Sequence, residues 1–152
     1  MDSKDKRILE LLQDNALLTA AELADEVGLT TTPCWRRIQK LEEQGYIKGR
    51  VALLDRHKMN VGVTVFVSVR TGQHSREWLE RFITAVNDTP EIVEAHRLSG
   101  DTDYLLRIVV PGIEEYDRLY KRLIRKLDFL DVSSSFAMEE LKSTTAIPVV
   151  HA

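Results

Sequence analysis

The chain has 152 residues, 43% apolar and 30% charged, with a formal net charge of −3, which describes a folded globular protein and argues against disorder. Its apolar runs fall far short of the roughly 20 residues that span a bilayer, and MDSKDKR has no apolar stretch behind it, so the expected location is the cytoplasm. The single cysteine, Cys34, excludes a disulfide framework or a CxxC site within one chain, and His57, His74, His96 and His151 lack metal-binding spacing.

The distribution of charge is more telling than its sum. Residues 8–35 contain no Lys or Arg and five acids, whereas residues 36–58 carry Arg36, Arg37, Lys40, Lys48, Arg50, Arg56 and Lys58 against only Glu42, Glu43 and Asp55. A basic segment of this kind is the local footprint of a polyanion partner, because phosphate contacts act at short range through counterion release.

In chain order, a first helix is expected over about 4–14, with Ile8, Leu9, Leu11 and Leu12 as its apolar stripe and Asn15 at its end. Thr19 followed by Glu22 is a capping box that opens a second helix, which buries Leu23 and Val27 and stops at Gly28. The third helix begins at Thr30, an N-cap, with Pro33 in its first turn and Gly45 at its end. Cys34, Ile38 and Leu41 share an inward stripe, while Thr32, Arg36, Gln39 and Lys40 lie opposite and Trp35 and Arg37 flank them. Tyr46 and Ile47 are expected to turn back to the core, and KGRVALLD, residues 48–55, to form a short strand or wing.

Helix, short glycine-containing turn and a second helix with a polar, basic outer face constitute a helix-turn-helix whose last helix fits a DNA major groove. The expected DNA-binding set is Thr30, Thr31, Thr32, Pro33, Trp35, Arg36, Arg37, Gln39, Lys40, Lys48 and Arg50. Within it, Thr32 and Arg36 are assigned to base edges, and Arg37, Lys40, Lys48 and Arg50 to phosphates. Trp35 can lie against DNA or against the first helix, and packing is the preferred role. Cys34 reads as an apolar filler, since a reactive thiol needs exposure and a lowered pKa.

Beyond residue 60 the period changes from helical to two-residue. VGVTVFVSV, 61–69, alternates Val63, Val65, Val67 and Val69 with Thr64, Phe66 and Ser68. A helix over 76–88 follows, then strands over 92–98 and 104–110 joined by SGDTD, a helix over 113–127 and a strand over 131–138. The order βαββαβ is that of a ferredoxin-like unit. One sheet face should carry Thr64, Phe66, Val93, Ala95 and Ser135, an uncovered mixture best suited to a second copy of the chain. SGDTDY by itself is a polar hairpin turn with Gly100 at a positive φ, and no nucleophile, phosphate loop or paired acid and base points to catalysis.

The combination resembles the Lrp/AsnC family of transcription regulators over essentially the full chain. The residues that carry the likeness are DKRIL, LLQDNA, ELADEVGLTTTPCWRRIQKLEEQGYI, VALLD, SGDTDYLLR and SSSFAMEELKSTTAIP, with TTTPCW marking a subgroup. It departs from the family at Leu17, where a basic residue is common, and at Arg50, where an aromatic is common. The resemblance implies an α+β fold: an N-terminal (winged) helix-turn-helix over 1–60 with a connector strand, then a ferredoxin-like effector-binding and oligomerisation domain over 61–152. It also implies double-stranded DNA as partner, assembly of homodimers into tetramers or octamers, no enzymatic activity, no cofactor, and an amino-acid effector, either cysteine or leucine-like. The implied effector residues are Gly100, Asp101, Thr102, Asp103, Tyr104, Ser133, Ser134 and Ser135. The alternative is an architectural DNA-binding protein indifferent to effectors.

Overall fold

The computed structural model describes residues 1–152, which divide into two compact units, Met1–Leu53 with Leu141–Ala152, and Leu54–Glu140. The expected partition at residue 60 differs from this one, and residues 141–152, expected in the second domain, join the first.

The first unit is built from α1 (Ser3–Asp14), α2 (Ala20–Val27) and α3 (Thr31–Glu43). Both early helices start with a complete capping box, Asp2 with Asp5 for α1 and Thr19 with Glu22 for α2. Each box satisfies amides that have no partner inside the helix. Gly28 closes α2 at φ 63°, a left-handed conformation that would strain any residue with a Cβ, and so allows α3 to begin within a few residues. Ile8, Leu9, Leu12, Leu23, Ala24, Cys34, Ile38 and Leu41 form the core. Burying a side chain as large as Ile8 stabilises by about 1.5–3 kcal/mol.

The C-terminal segment joins this unit through a local match of donors and acceptors. The Ile147 amide donates to Gln13 Oε1 at 2.7 Å, Gln13 Nε2 donates back to the Ile147 carbonyl at 3.1 Å, and Val149 packs on the core. Three expectations fail here. Residues 48–55 form no strand, since their backbone groups have no neighbouring strand to pair with, and Val51, Leu53 and Leu54 are exposed. Tyr46 is exposed while Ile47 alone returns to the core, and Trp35 is 52% exposed rather than packed on α1.

The second unit runs β1 (Val63–Arg70), α4 (Arg76–Asn87), β2 (Ile92–Arg97), β3 (Tyr104–Val110), α5 (Ile113–Lys126) and β4 (Asp131–Phe136). The strands form one antiparallel sheet in the order β2-β3-β1-β4, so the βαββαβ expectation holds. Val65, Val67 and Val69 of β1 and Tyr104, Leu106, Ile108 and Val110 of β3 are buried in one core with Trp78, Phe82, Tyr116, Leu119 and Leu123 from the helices. Ile83, expected on the inner side of α4, is 49% exposed, and Trp78 fills the centre instead.

On the opposite face, Thr64, Phe66 and Ser68 lie beside Arg107, Leu105 and Ser133 through their strand registers. A register shift between Ile92 and Glu94 changes the reading of β2. Glu94 opposes Arg107 on the open face, and Ala95 opposes Leu106 on the helix side, contrary to expectation, though on this edge strand it stays exposed. A bulge adds one residue to a period of two, so every later side chain changes face.

Candidate nucleic-acid interface and ligand turn

The surface of α3 separates into residues held by the protein and residues left for a partner. Thr30 is the N-cap but its hydroxyl makes no capping hydrogen bond, and the first turn, with exposed Thr31, Thr32 and Pro33, contains no acidic residue. The positive end of the helix dipole is therefore uncompensated there, which favours an approaching phosphate. Arg36, Lys40 and Lys48 are exposed and make no ion pair.

The other expected contacts are already engaged. Arg37 Nη1 lies 2.6 Å from Asp2 Oδ2 and 2.7 Å from Asp5 Oδ1, Arg50 Nη1 lies 2.7 Å from Glu42, and Gln39 Nε2 donates to Glu42 at 3.2 Å. The exposed Arg50 pair is weak and can open at little cost. Arg37 differs because two carboxylates hold it. Sequence reasoning missed these partners, although the DSKD spacing of Asp2 and Asp5 marks the helix start that receives the arginine.

The two caps make the first unit acid-sensitive. The Asp5 amide and then the Arg37 guanidinium hold Asp2 below its ordinary 3.8, and the Thr19 amide and hydroxyl hold Glu22 below its ordinary 4.5. With folded values depressed, the native state binds fewer protons than the unfolded one. Their stabilisation is complete above the ordinary carboxylate range and is lost as pH falls through the depressed values. The protection of amides in the first turns of α1 and α2, measured against the intrinsic exchange rate at each pH, should therefore fall from about pH 5 downward. In Glu22→Gln, which keeps the cap but cannot titrate, the α2 effect should vanish.

Cys34 is fully buried on the inward face of α3, and that burial pushes its thiol above the ordinary 9.0. The native protein should resist thiol alkylation at neutral pH and react at full rate only once unfolded. Rapid native labelling would show that α3 opens.

The SGDTDY turn is closed by the Leu98 amide donating to the Asp103 carbonyl at 2.8 Å, with Gly100 at φ 112°. Asp103 is committed to the scaffold: its carboxylate accepts from the Thr71 amide at 2.8 Å and its amide donates to the Val69 carbonyl at 3.0 Å. Tyr104 is core, its ring centroid 4.5 Å from that of Phe82. The amides of Gly100, Asp101 and Thr102 have no backbone partner, and Asp101 is exposed.

The serines of β4 divide by pleat. Ser134 faces the helices and hydrogen-bonds the Tyr116 hydroxyl, whereas Ser133 and Ser135 lie on the open face beside Ser68 and Phe66. Tyr104 and Val132 both flank Val69, so turn and serines share one end of the sheet, two strand spacings or about 10 Å apart. The open face is charged at one side, where Arg107 pairs with Glu94 at 2.6 Å and holds its carboxyl below the ordinary range, with His96 adding at 3.4 Å.

Comparison with known proteins gives a family for each part of the chain. Residues 1–48 match a winged helix-turn-helix DNA-binding family model, and residues 64–147 match the Lrp/AsnC ligand binding domain. The chain is 50% identical over 149 residues to the glutamate uptake regulatory protein of Zymomonas mobilis, covering 98% of this chain and 91% of the relative. It is 46% identical over 150 residues to the DNA-binding transcriptional activator DecR of Escherichia coli, covering 98% and 99%.

Among solved structures, an AsnC family transcriptional regulator from Agrobacterium tumefaciens superposes with a TM-score of 0.96 at 58% identity, covering 99% of each chain. A Neisseria meningitidis transcriptional regulator in complex with L-Met superposes with a TM-score of 0.94 at 33% identity, covering 99% of this chain and 98% of that one. No helix of the chain is long and apolar enough to cross a membrane.

Proposed function

The chain belongs to the Lrp/AsnC family of DNA-binding transcription regulators, and we propose that it works as a cytoplasmic homodimer whose paired α3 helices read half-sites about one helical turn apart. The family is one of regulators rather than catalysts. The observation that carries the reading is the outer face of α3, where Arg36 and Lys40 stand unpaired beside an acid-free helix start, with Lys48 exposed and unpaired just beyond the end of the helix. Thr32 and Arg36 address base edges there, and Lys40 and Lys48 address phosphates, with Thr30, Thr31, Pro33, Trp35 and Gln39 completing the contact surface. Arg50 adds a phosphate contact when it leaves Glu42.

The dimer forms through the open sheet face. Phe66 is 40% exposed there, among partly exposed Leu105 and Val109, and the Glu94 and Arg107 pair offers each copy an acceptor and a donor for its mate. Dimers assemble further into tetramers or octamers. The effector is an amino acid, cysteine or a leucine-like one, and the L-Met complex of the Neisseria relative supports a ligand of that size and polarity. The amides around Gly100 take its carboxylate and Asp101 its ammonium group, while Thr102, Ser133 and Ser135 border the site. Asp103, Tyr104 and Ser134 shape it from within the fold.

A thermal-shift screen against the twenty amino acids tests the sensing role. A ligand present at 100 times its Kd stabilises the state that binds it by about 2.7 kcal/mol. One clear hit that also changes affinity for duplex DNA supports the reading. Indifference to every amino acid, with and without DNA, replaces it by an effector-independent architectural role.

A further inference from the structure

We infer that Arg37 is a positioning residue, which sets the angle of the DNA-reading helix by joining it to the first turn of α1, and that it makes no phosphate contact. The inference rests on the DNA-binding reading of α3. Its ground is the way two carboxylates divide their oxygens. Asp2 Oδ1 accepts the Asp5 amide at 2.9 Å, and Asp5 Oδ2 accepts the Asp2 amide at 3.1 Å. That leaves Asp2 Oδ2 and Asp5 Oδ1 for a single nitrogen, Arg37 Nη1, at 2.6 and 2.7 Å.

One capping box therefore does two jobs. It satisfies the start of α1 and grips α3 at its flank, next to Arg36. The side chain of Arg37 is 32% exposed and that of Asp5 only 18%, so this pair is screened less than the surface ion pairs of the chain. To meet a phosphate, Arg37 would have to leave two carboxylates and strand them beside the DNA. Arg36, one residue along, has no such attachment. Adjacent arginines thus divide the work: Arg37 holds the helix and Arg36 is free to read.

The sign of one substitution separates the alternatives. Asp5→Asn removes a negative charge near the DNA surface, so a purely electrostatic account has it tighten binding to every sequence. If Arg37 positions the helix, the same change loosens its grip and lowers the ratio of affinities for a duplex selected by this protein over a random duplex.

The experiment measures both duplexes at several salt concentrations with the full chain, Asp5→Asn, Arg37→Ala, Arg36→Ala and Lys40→Ala. The expected result is a fall of about tenfold in the affinity ratio for both Asp5→Asn and Arg37→Ala. The slope of log affinity on log salt should stay unchanged in Arg37→Ala and shrink by about one in Lys40→Ala. Asp5→Asn keeps the arginine and an oxygen for its amide partner, so it decides the matter even if Arg37→Ala does not fold. Two results overturn the inference alone: Asp5→Asn tightening both duplexes alike, or Arg37→Ala shrinking the salt slope by about one at an unchanged ratio. A native chain that binds no duplex with a salt slope overturns the DNA-binding reading, and the inference with it.

Discussion

Trp78→Ala is expected to lower stability by about 3–5 kcal/mol, a large share of what an ordinary domain has. The indole is 1% exposed, stacks on Phe82 with centroids 5.2 Å apart, and lies 5.8 Å from the Tyr104 ring. Its Nε1 also donates to the Asp128 carbonyl at 3.3 Å, so the truncation leaves a cavity and a carbonyl without its donor. Urea unfolding of the variant beside the native chain gives the difference. A change under about 1 kcal/mol would mean that the Phe82, Tyr104 and Phe129 rings collapse into the space, since the cost of such a cavity depends on how far its walls relax.

The effect reaches function through Tyr104. That residue ends the SGDTDY turn and starts β3, and Trp78 and Phe82 hold its ring. Two tryptophans in opposite settings also make the chain its own reporter. Trp78→Phe leaves only Trp35, which is 52% exposed on the flank of α3, so its emission should respond to duplex DNA and not to an amino acid alone.

Local signals in the sequence carried most of the fold. The Thr19 and Glu22 box, Gly28 and the valine alternation of β1 each encode their structure within a few residues, and each appears where expected. Two of the failures turn on partners far away along the chain, one present and one missing. Gln13 and Ile147 are 134 positions apart, and no periodicity links them. Residues 48–55 have strand-like composition but no strand beside them.

Register produced a different kind of error. The alternation of β2 was readable, but one extra residue between Ile92 and Glu94 moved Ala95 to the helix side of the sheet. For the candidate DNA surface, periodicity placed Arg36 on the outward face and Arg37 on its flank, in keeping with an exposed Arg36 and a half-buried Arg37. What it could not supply was the charge opposite each. Arg37 meets Asp2 and Asp5 from α1, while Arg36 meets nothing in the chain.

That difference sets the second large effect. Arg36→Ala is expected to cost about 1–3 kcal/mol at one base step, because a guanidinium free to reach a base edge gives directional hydrogen bonds that only one base pair satisfies. Lys48→Ala is expected to weaken all duplexes alike and to reduce the salt slope by about one, since an ammonium on a phosphate carries no sequence information. Titrating both variants against the selected duplex and its single-base changes makes the comparison. If the losses are equal on selected and random DNA for both, Arg36 is a phosphate ligand and base reading falls to Thr32 and the exposed first turn of α3. If Arg36→Ala alone flattens discrimination at one position, that position marks where the helix enters the groove. Thr32, about one turn before Arg36 on the same face, then lies toward a neighbouring base step, because a rise of 1.5 Å per residue separates residues one turn apart by about 5.4 Å along the helix.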